Sequence, residues 1–380
     1  MDRRIIEAKL NQIQSRTIQS RWPVDGWESR TADHLGPGVY AYDGEWAETG
    51  VDTTSCCLQQ AAAGKTLFVR SAVAAPGGVP LEELRLSFEI DQLEGLLRVD
   101  GKAYAGIDQN HTCVALPSAG PVHMEVEFIC VPRSLSQPEL KSERARLRSV
   151  SVVRVNPDVE TLWYDLWFLW EASQFCEDER RCKLLHSALE EALLAIDLTA
   201  PVSEFERDVA MVGSRLAERV AAIGVDPEGG RVFLTGHSHI DTAWLWPLRE
   251  TVRKVGRTWS TACRLMERFP DYHFSCSQPQ LYVYAREHYP ELYEEVRGWI
   301  KTGRWECTGG MWVESDCNVP SGESLIRQIL YGVELFREEF GVRPRTCWLP
   351  DVFGYPASLP GILKGCGIDH FMTNKLHWQA

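Results

Sequence analysis

The sequence predicts a multidomain chain, an N-terminal β-sandwich of jelly-roll type with helices followed by an α/β unit on a mostly parallel sheet. Three observations carry this. First, 380 residues exceed one ordinary domain. Second, from about 35 to 155 the chain reads as short strands and turns. LFVRSAV, LRLSFEI and HMEVEFICV mix alternation with β-branched and aromatic residues. Third, from 231 onward short apolar runs alternate with long helical segments, the pattern of parallel strands covered by helices. The expected division is 1–155 for the N-terminal helix and sandwich, 156–228 for a helical linker region and 229–380 for the α/β domain.

The elements follow in order. Residues 1–20 form an amphipathic helix with Ile5, Ile6, Leu10 and Ile13 on one stripe. In LLRVDGKAYAG, Asp100–Gly101 between two strand-like runs signals a hairpin. Between 157 and 222, VETLWYDLWFLWEASQF and LLHSALEEALLAIDL repeat apolar residues at three- and four-residue spacing, as helices do. In the last region RVFLTG, YHFSC, RWECTG, TCWLP and HFMTN are the expected strands. WPLRETVRKVGRTWSTACRLMERF, QLYVYAREHYPELYEEVRGWIKTG, GESLIRQILYGVELFREEFG and LPGILKGCG are the helical segments between them. Ligands of such sheets gather at the carboxyl ends of the strands.

Composition excludes several classes. Net charge is −13, which disfavours a nucleic-acid partner. No apolar run reaches the length of a membrane span, and the N-terminus has no apolar core of signal-peptide type, so a cytoplasmic protein is expected. The 12 cysteines lack regular spacing; Cys56–Cys57 are adjacent and no CxxC occurs, which suits free thiols. The 14 tryptophans lean mildly toward sugar binding, although tryptophans are also ordinary core residues. A homo-oligomer is left open.

Three stretches carry chemistry. GHSHIDTAWLW, 236–246, puts His239 and Asp241 two apart at the end of the first α/β strand. In an extended segment both face one side, where a nitrogen and an oxygen can meet one divalent ion. The plain alternative is a solvated loop histidine and an Asp241 that caps a helix starting near Trp244. His237 is assigned to packing or to support behind the ligands. CWLPDVFGYPASLP, 347–360, puts Asp351 after another strand; there it can bind metal, attack a glycosidic carbon or cap a turn. TGGMWVESDCNVPSGES, 308–324, adds Glu314 and Asp316 to the same rim, with Ser321 as a helix N-cap and Trp312 as core or ligand platform.

GHSHIDTAWLWP, GGMWVESDCNVPSGES, WLPDVFGYPASLP and GIDHFMTNKLHW, in this order and spacing, resemble glycoside hydrolase family 38, the zinc-dependent α-mannosidases, and most closely their cytosolic, vacuolar and bacterial branch. LRVDGKAYAGIDQNHTCVALP also looks like the N-terminal domain of that branch. The resemblance implies that the α/β domain is an incomplete barrel of the glycoside hydrolase/deacetylase type. It implies that His239 and Asp241 match zinc ligands, and that Asp351 matches the catalytic nucleophile, which also ligates the zinc. Trp244 and Phe353 match aromatic residues lining the subsite of the cleaved mannose, and Lys375 a basic residue near the nucleophile. The implied activity is retaining hydrolysis of terminal α-linked mannose from oligosaccharides. Cobalt and manganese suit the same ligand set.

The chain departs from the family pattern in two ways. The family's general acid and its fourth ligand, a histidine, lie further along than Ala380, so an N-terminal fragment, inactive alone, is expected. His377 stands where the family more often has a small polar residue. The competing readings are a metal-dependent polysaccharide deacetylase-like hydrolase, with water as nucleophile, and a non-catalytic sugar-binding remnant.

Overall fold

In the computed structural model, residues 1–49, 59–61, 65–130, 145–224 and 230–376 are described; Cys56, Cys57 and His377 lie outside them. Helix α1 (Arg3–Ser15) starts where the Asp2 carboxylate accepts the Arg4 N–H. It buries Ile6, Leu10 and Ile13, while Ile5, expected on the same stripe, is half exposed at the flank.

The strands begin at Ile18, earlier than expected. They are β1 (Ile18–Pro23), β2 (Trp27–Gly36), β3 (Val39–Tyr42), β4 (Ala47–Thr49), β5 (Gln59–Ala61), β6 (Thr66–Val73), β7 (Leu84–Asp91), β8 (Leu93–Val99), β9 (Lys102–Ile107), β10 (Cys113–Ala115), β11 (Val122–Cys130) and β12 (Ala145–Val155). All pair antiparallel, in two sheets. One has the order β1-β12-β7-β10 with β5 on β12; the other has β3-β2-β6-β11-β8-β9 with β4 on β2. Trp27, Leu67, Val69, Leu86, Phe88, Phe128, Leu147 and Val152 from both sheets share one core. The β8–β9 hairpin turns at Asp100–Gly101, with φ of 48° and 81°. Two successive positive φ values match the twist of paired strands, which is why Gly is needed there.

Three helices follow: α2 (Pro157–Phe175), α3 (Glu179–Leu194) and α4 (Val202–Ile223). Asn156 and Asp178 cap the first two through side-chain oxygens. Leu166, Trp170, Leu189, Phe205 and Val212 pack with the buried stripe of α1, so the first and last helices of this layer close on one core.

The α/β region contains β13 (Gly236–His237), α5 (Leu248–Arg268), β14 (Phe274–Cys276), α6 (Pro279–His288), α7 (Pro290–Lys301), β15 (Trp305–Cys307), α8 (Gly322–Phe340), β16 (Thr346–Trp348), α9 (Leu359–Gly365) and β17 (His370–Met372). β13-β14-β15 form a parallel sheet, and β16 pairs with β17 in a second parallel sheet. Among the described residues these strands do not close into a barrel. RVFLTG also differs from expectation: only Gly236 is paired, opposite Phe274, and Val232, Phe233 and Leu234 are about four-fifths exposed. β14 begins at Phe274, so it does not extend far enough to pair with residues 231–235. The segment expected as one helix after YHFSC breaks at Tyr289–Pro290, where the ring removes a backbone donor.

The sandwich sits directly against α5. Gly106 N–H donates to Thr261 Oγ1 at 3.0 Å, and a Cβ on Gly106 would stand 2.7 Å from the Arg257 carbonyl oxygen. Beside it, Arg253 pairs with Glu127 at 2.6 Å, and Arg257 with Glu250 at 2.9 Å and Glu94 at 3.0 Å. Arg253, Arg257 and Glu127 are almost wholly buried. Buried charges persist when each has a partner of opposite sign, and this network fixes α5, and with it the loop before α5, against the sandwich.

Candidate active site

The carboxyl ends of β13, β14, β15 and β16 carry the loops expected to build a site. The loop after β13 does not turn into helix at Trp244; α5 starts at Leu248 with Pro247 before it. Asp241 therefore caps no helix, and its side chain is available for other chemistry. His239 Nε2 lies 3.1 Å from Asp241 Oδ1 and 3.6 Å from Asp351 Oδ2. One ligand atom from each of the three residues falls within 4.8 Å of the other two. Donors around a tetrahedral ion with bonds near 2.0–2.2 Å stand about 3.3 Å apart. The two histidine–carboxylate separations bracket that value, so the three side chains fit one small divalent ion. Each is partly buried, which leaves the cluster open to solvent on one side.

The second ring nitrogen of His239 is also engaged. Its Nδ1 meets Glu314 Oε2, and the Glu314 side chain is only 4% exposed. Burial pushes the imidazole toward neutrality. The hydrogen bond and charge of Glu314, then those of Asp241, outweigh it, and the His239 pKa is pushed up to about 9. Ser277 Oγ donates to Glu314 Oε1, and the Glu314 N–H donates to Gln278 Oε1 at 3.2 Å. Gln278 also receives the Thr242 hydroxyl at 3.0 Å and donates to the Ile240 carbonyl at 2.8 Å. Its backbone has φ 64°, a left-handed conformation costing a non-glycine residue about 1–2 kcal/mol. That conformation turns a buried amide toward both loops at once. Glu314 stands in the sequence only as one carboxylate of a rim, and Gln278 draws no attention there. Their roles come from contacts with residues 75 and 36 positions away.

Lys375 Nζ contacts the other oxygen of Asp351, Oδ1, at 2.8 Å, and stands 5.3 Å from the centre of the Phe353 ring. Asp351 thus shares its two oxygens between a cation and the His239 side of the cluster. Trp244 and Phe353 are 64% and 58% exposed, and Trp244 meets Trp246 edge to face. The structure therefore brings His239, Asp241, Asp351 and Lys375 together, with the half-exposed Phe353 ring beside Lys375 and Trp244 on the loop after β13.

Other candidates resolve into supporting parts. His237 Nδ1–H donates to the Ser275 carbonyl at 2.8 Å, and its Nε2 accepts the Trp348 indole N–H at 3.1 Å. It ties β13 to β14 and to β16. Asp316 accepts the Asn318 and Val319 N–H groups and so caps its own loop. Ser321 caps α8, accepting the Ser324 N–H at 3.2 Å. Trp312 donates to Gln280 Oε1 at 2.9 Å. A cavity of about 380 Å³ borders the loop after β13, lined by His239 and Asp241, by Lys254 of α5, and by Asp108 and His111 of the sandwich. Asp351 does not line it, so this cavity reaches two of the three clustered residues.

Comparison with known proteins follows the same residues. Residues 229–380 match the model of the glycosyl hydrolases family 38 N-terminal domain. The chain is similar to human "Alpha-mannosidase 2C1", 51% identical over 148 residues that cover 39% of this chain and 14% of that protein. It is similar to the Saccharomyces cerevisiae "Alpha-mannosidase", 35% identical over 264 residues that cover 66% of this chain and 24% of that protein. "Alpha-mannosidase G" of Dictyostelium discoideum is 47% identical over 149 residues, 39% of this chain and 14% of that protein. The matched part of the chain thus spans between a seventh and a quarter of these relatives' length. Among the described residues, no helix is long and apolar enough to cross a membrane.

Proposed function

We propose that this chain, a member of glycoside hydrolase family 38 through its residues 229–380, supplies the metal ligands and the nucleophile of a retaining α-mannosidase. The observation that carries this reading is the convergence of His239, Asp241 and Asp351, with ligand atoms within 4.8 Å, on three residues singled out by spacing and resemblance. The names of the curated relatives, all α-mannosidases, support the substrate class: terminal α-linked mannose of oligosaccharides.

His239 Nε2, an Asp241 oxygen and Asp351 Oδ2 would hold a divalent ion. One neutral nitrogen with two carboxylates suits zinc, and cobalt and manganese as well. The ion, when bound, supplies a template for sugar hydroxyls and compensation of negative charge. The protein's own groups do the rest. Asp351 attacks the anomeric carbon; a glycosyl ester forms on its carboxylate as the bond to the leaving oxygen breaks. Water then attacks the same carbon and frees Asp351, so the anomeric configuration is retained. Lys375 holds the Asp351 carboxylate by its Oδ1 and fixes its rotation. Trp244 and Phe353 offer apolar faces to the sugar ring. A second carboxyl group must protonate the leaving oxygen. Glu314 and Asp316 are not matched to it by the resemblance, and their hydrogen bonds commit them elsewhere.

The test is an aryl α-mannoside assay on the complete gene product, stripped of metal with a chelator and then reloaded with zinc. The reading expects turnover that vanishes on stripping, returns with zinc and is absent on the aryl α-glucoside. Equal turnover before and after stripping, or release of acetate from acetylated sugars in place of mannose, would overturn it.

A further inference from the structure

We infer that Glu314 is a positioning residue of the metal centre: it fixes the tautomer and the orientation in which His239 presents Nε2 to the ion. This deepens the proposed function and rests on it. An imidazole can place its single proton on either nitrogen, and only the unprotonated nitrogen binds a metal. Here Nδ1 faces a buried carboxylate that can only accept, while Nε2 faces Asp241 and Asp351. In the neutral ring that binds a metal, the proton is therefore held on Nδ1, and Nε2 faces the cluster.

Glu314 is itself held on every side. Its backbone N–H is bound by the Gln278 amide, and its Oε1 by the Ser277 hydroxyl. Gln278 also fastens Ile240 and Thr242, the residues either side of Asp241. Glu314 comes from the loop after β15, Ser277 and Gln278 from the end of β14, and His239 from the loop after β13. Three neighbouring strands thus meet behind one ligand. A buried carboxylate with so many fixed protein partners serves the imidazole it contacts. Outer partners of this kind change metal affinity by roughly 10–100-fold when removed.

The experiment compares wild type, Glu314→Gln, Glu314→Ala and His239→Ala in the complete gene product. Zinc affinity is measured by competition with a chromophoric chelator, and the visible absorption of the cobalt-substituted protein is recorded alongside. Glu314→Gln keeps an oxygen that accepts from Nδ1–H but lacks its charge, so a loss of about tenfold is expected. Glu314→Ala frees the ring, so a loss nearer a hundredfold and an altered cobalt spectrum are expected. A role in folding alone would lower the melting temperature of the metal-free protein and leave the cobalt spectrum unchanged. Should the Glu314 variants fail to fold, Ser277→Ala, which loosens Glu314 without touching it, must weaken zinc several-fold; wild-type affinity there overturns the inference. So do wild-type zinc affinity and an unchanged cobalt spectrum in folded Glu314→Ala. If wild type binds zinc no better than His239→Ala, the metal site itself fails, and that outcome is distinct from failure of the Glu314 role alone.

Discussion

Zinc binding to this site should depend steeply on pH, and the structure sets the size of the effect. The metal-free His239 imidazole, surrounded by Glu314 and Asp241, has its pKa pushed up to about 9. An ion at Nε2 must displace a proton wherever that imidazole is charged, so affinity rises with pH until about 9. Between about pH 6 and pH 8 the neutral fraction of a group titrating near 9 grows by about 90-fold, against about fourfold for an unperturbed histidine near 6.5. The sign for stability is opposite. A pKa raised on folding stabilises the metal-free protein fully below about 6.5, and that contribution is lost as pH rises through about 9. Metal-free protein should therefore lose melting temperature over this window while zinc affinity climbs. Calorimetric titration with zinc in two buffers of different ionisation enthalpy gives both the affinity and the protons released. The account expects about one proton per ion at neutral pH. An affinity that changes less than about fivefold from pH 6 to pH 8, with far less than one proton released at neutral pH, would show that the His239 pKa is not raised in the metal-free site.

Two further perturbations probe the frame around the site. Gly106→Val should cost about 1–3 kcal/mol in urea unfolding, because its Cβ would meet the Arg257 carbonyl oxygen at 2.7 Å in a rigid helix; an unchanged midpoint would mean that the sandwich and α5 are not pressed together there. His237→Phe should cost about 1–3 kcal/mol in the same assay, since it strips partners from the Ser275 carbonyl and the Trp348 indole; a neutral result would mean that these bonds do not tie the strands.

What the sequence reveals of this molecule depends on the range of the signal. Turn and cap chemistry is local, so the Asp100–Gly101 hairpin and the Ser321 cap are readable directly and are found in place. Alternating apolar periods place β6, β7, β8, β9 and β11 of the sandwich, and helical periods place the helices from α2 onward. β1 and most of β2 lie before the expected start near residue 35; IQSRWP shows little apolar alternation, and the two strands are held by backbone pairing to β12 and to β4 and β6. RVFLTG has the composition of a strand, yet among the described residues only its last residue, Gly236, is paired, which composition cannot report. At the site, residue type and spacing mark His239, Asp241 and Asp351, and the fold brings them within reach of one another. Glu314 is marked only as a rim carboxylate and Gln278 not at all, because their roles lie in one ring nitrogen and two loops far away in sequence.

The central claim is that Asp351 forms a bond to the sugar, and covalent trapping tests it most directly. The complete gene product is treated with a fluorinated mannosyl fluoride, which slows the second displacement more than the first and lets the glycosyl ester accumulate. The labelled protein is digested and its peptides are mapped by mass spectrometry. The account predicts one mannosyl adduct, on the peptide containing CWLPDVFGY and assigned by fragmentation to Asp351, and no adduct in Asp351→Ala. A label on another carboxylate, or a product of inverted configuration by NMR, would contradict it.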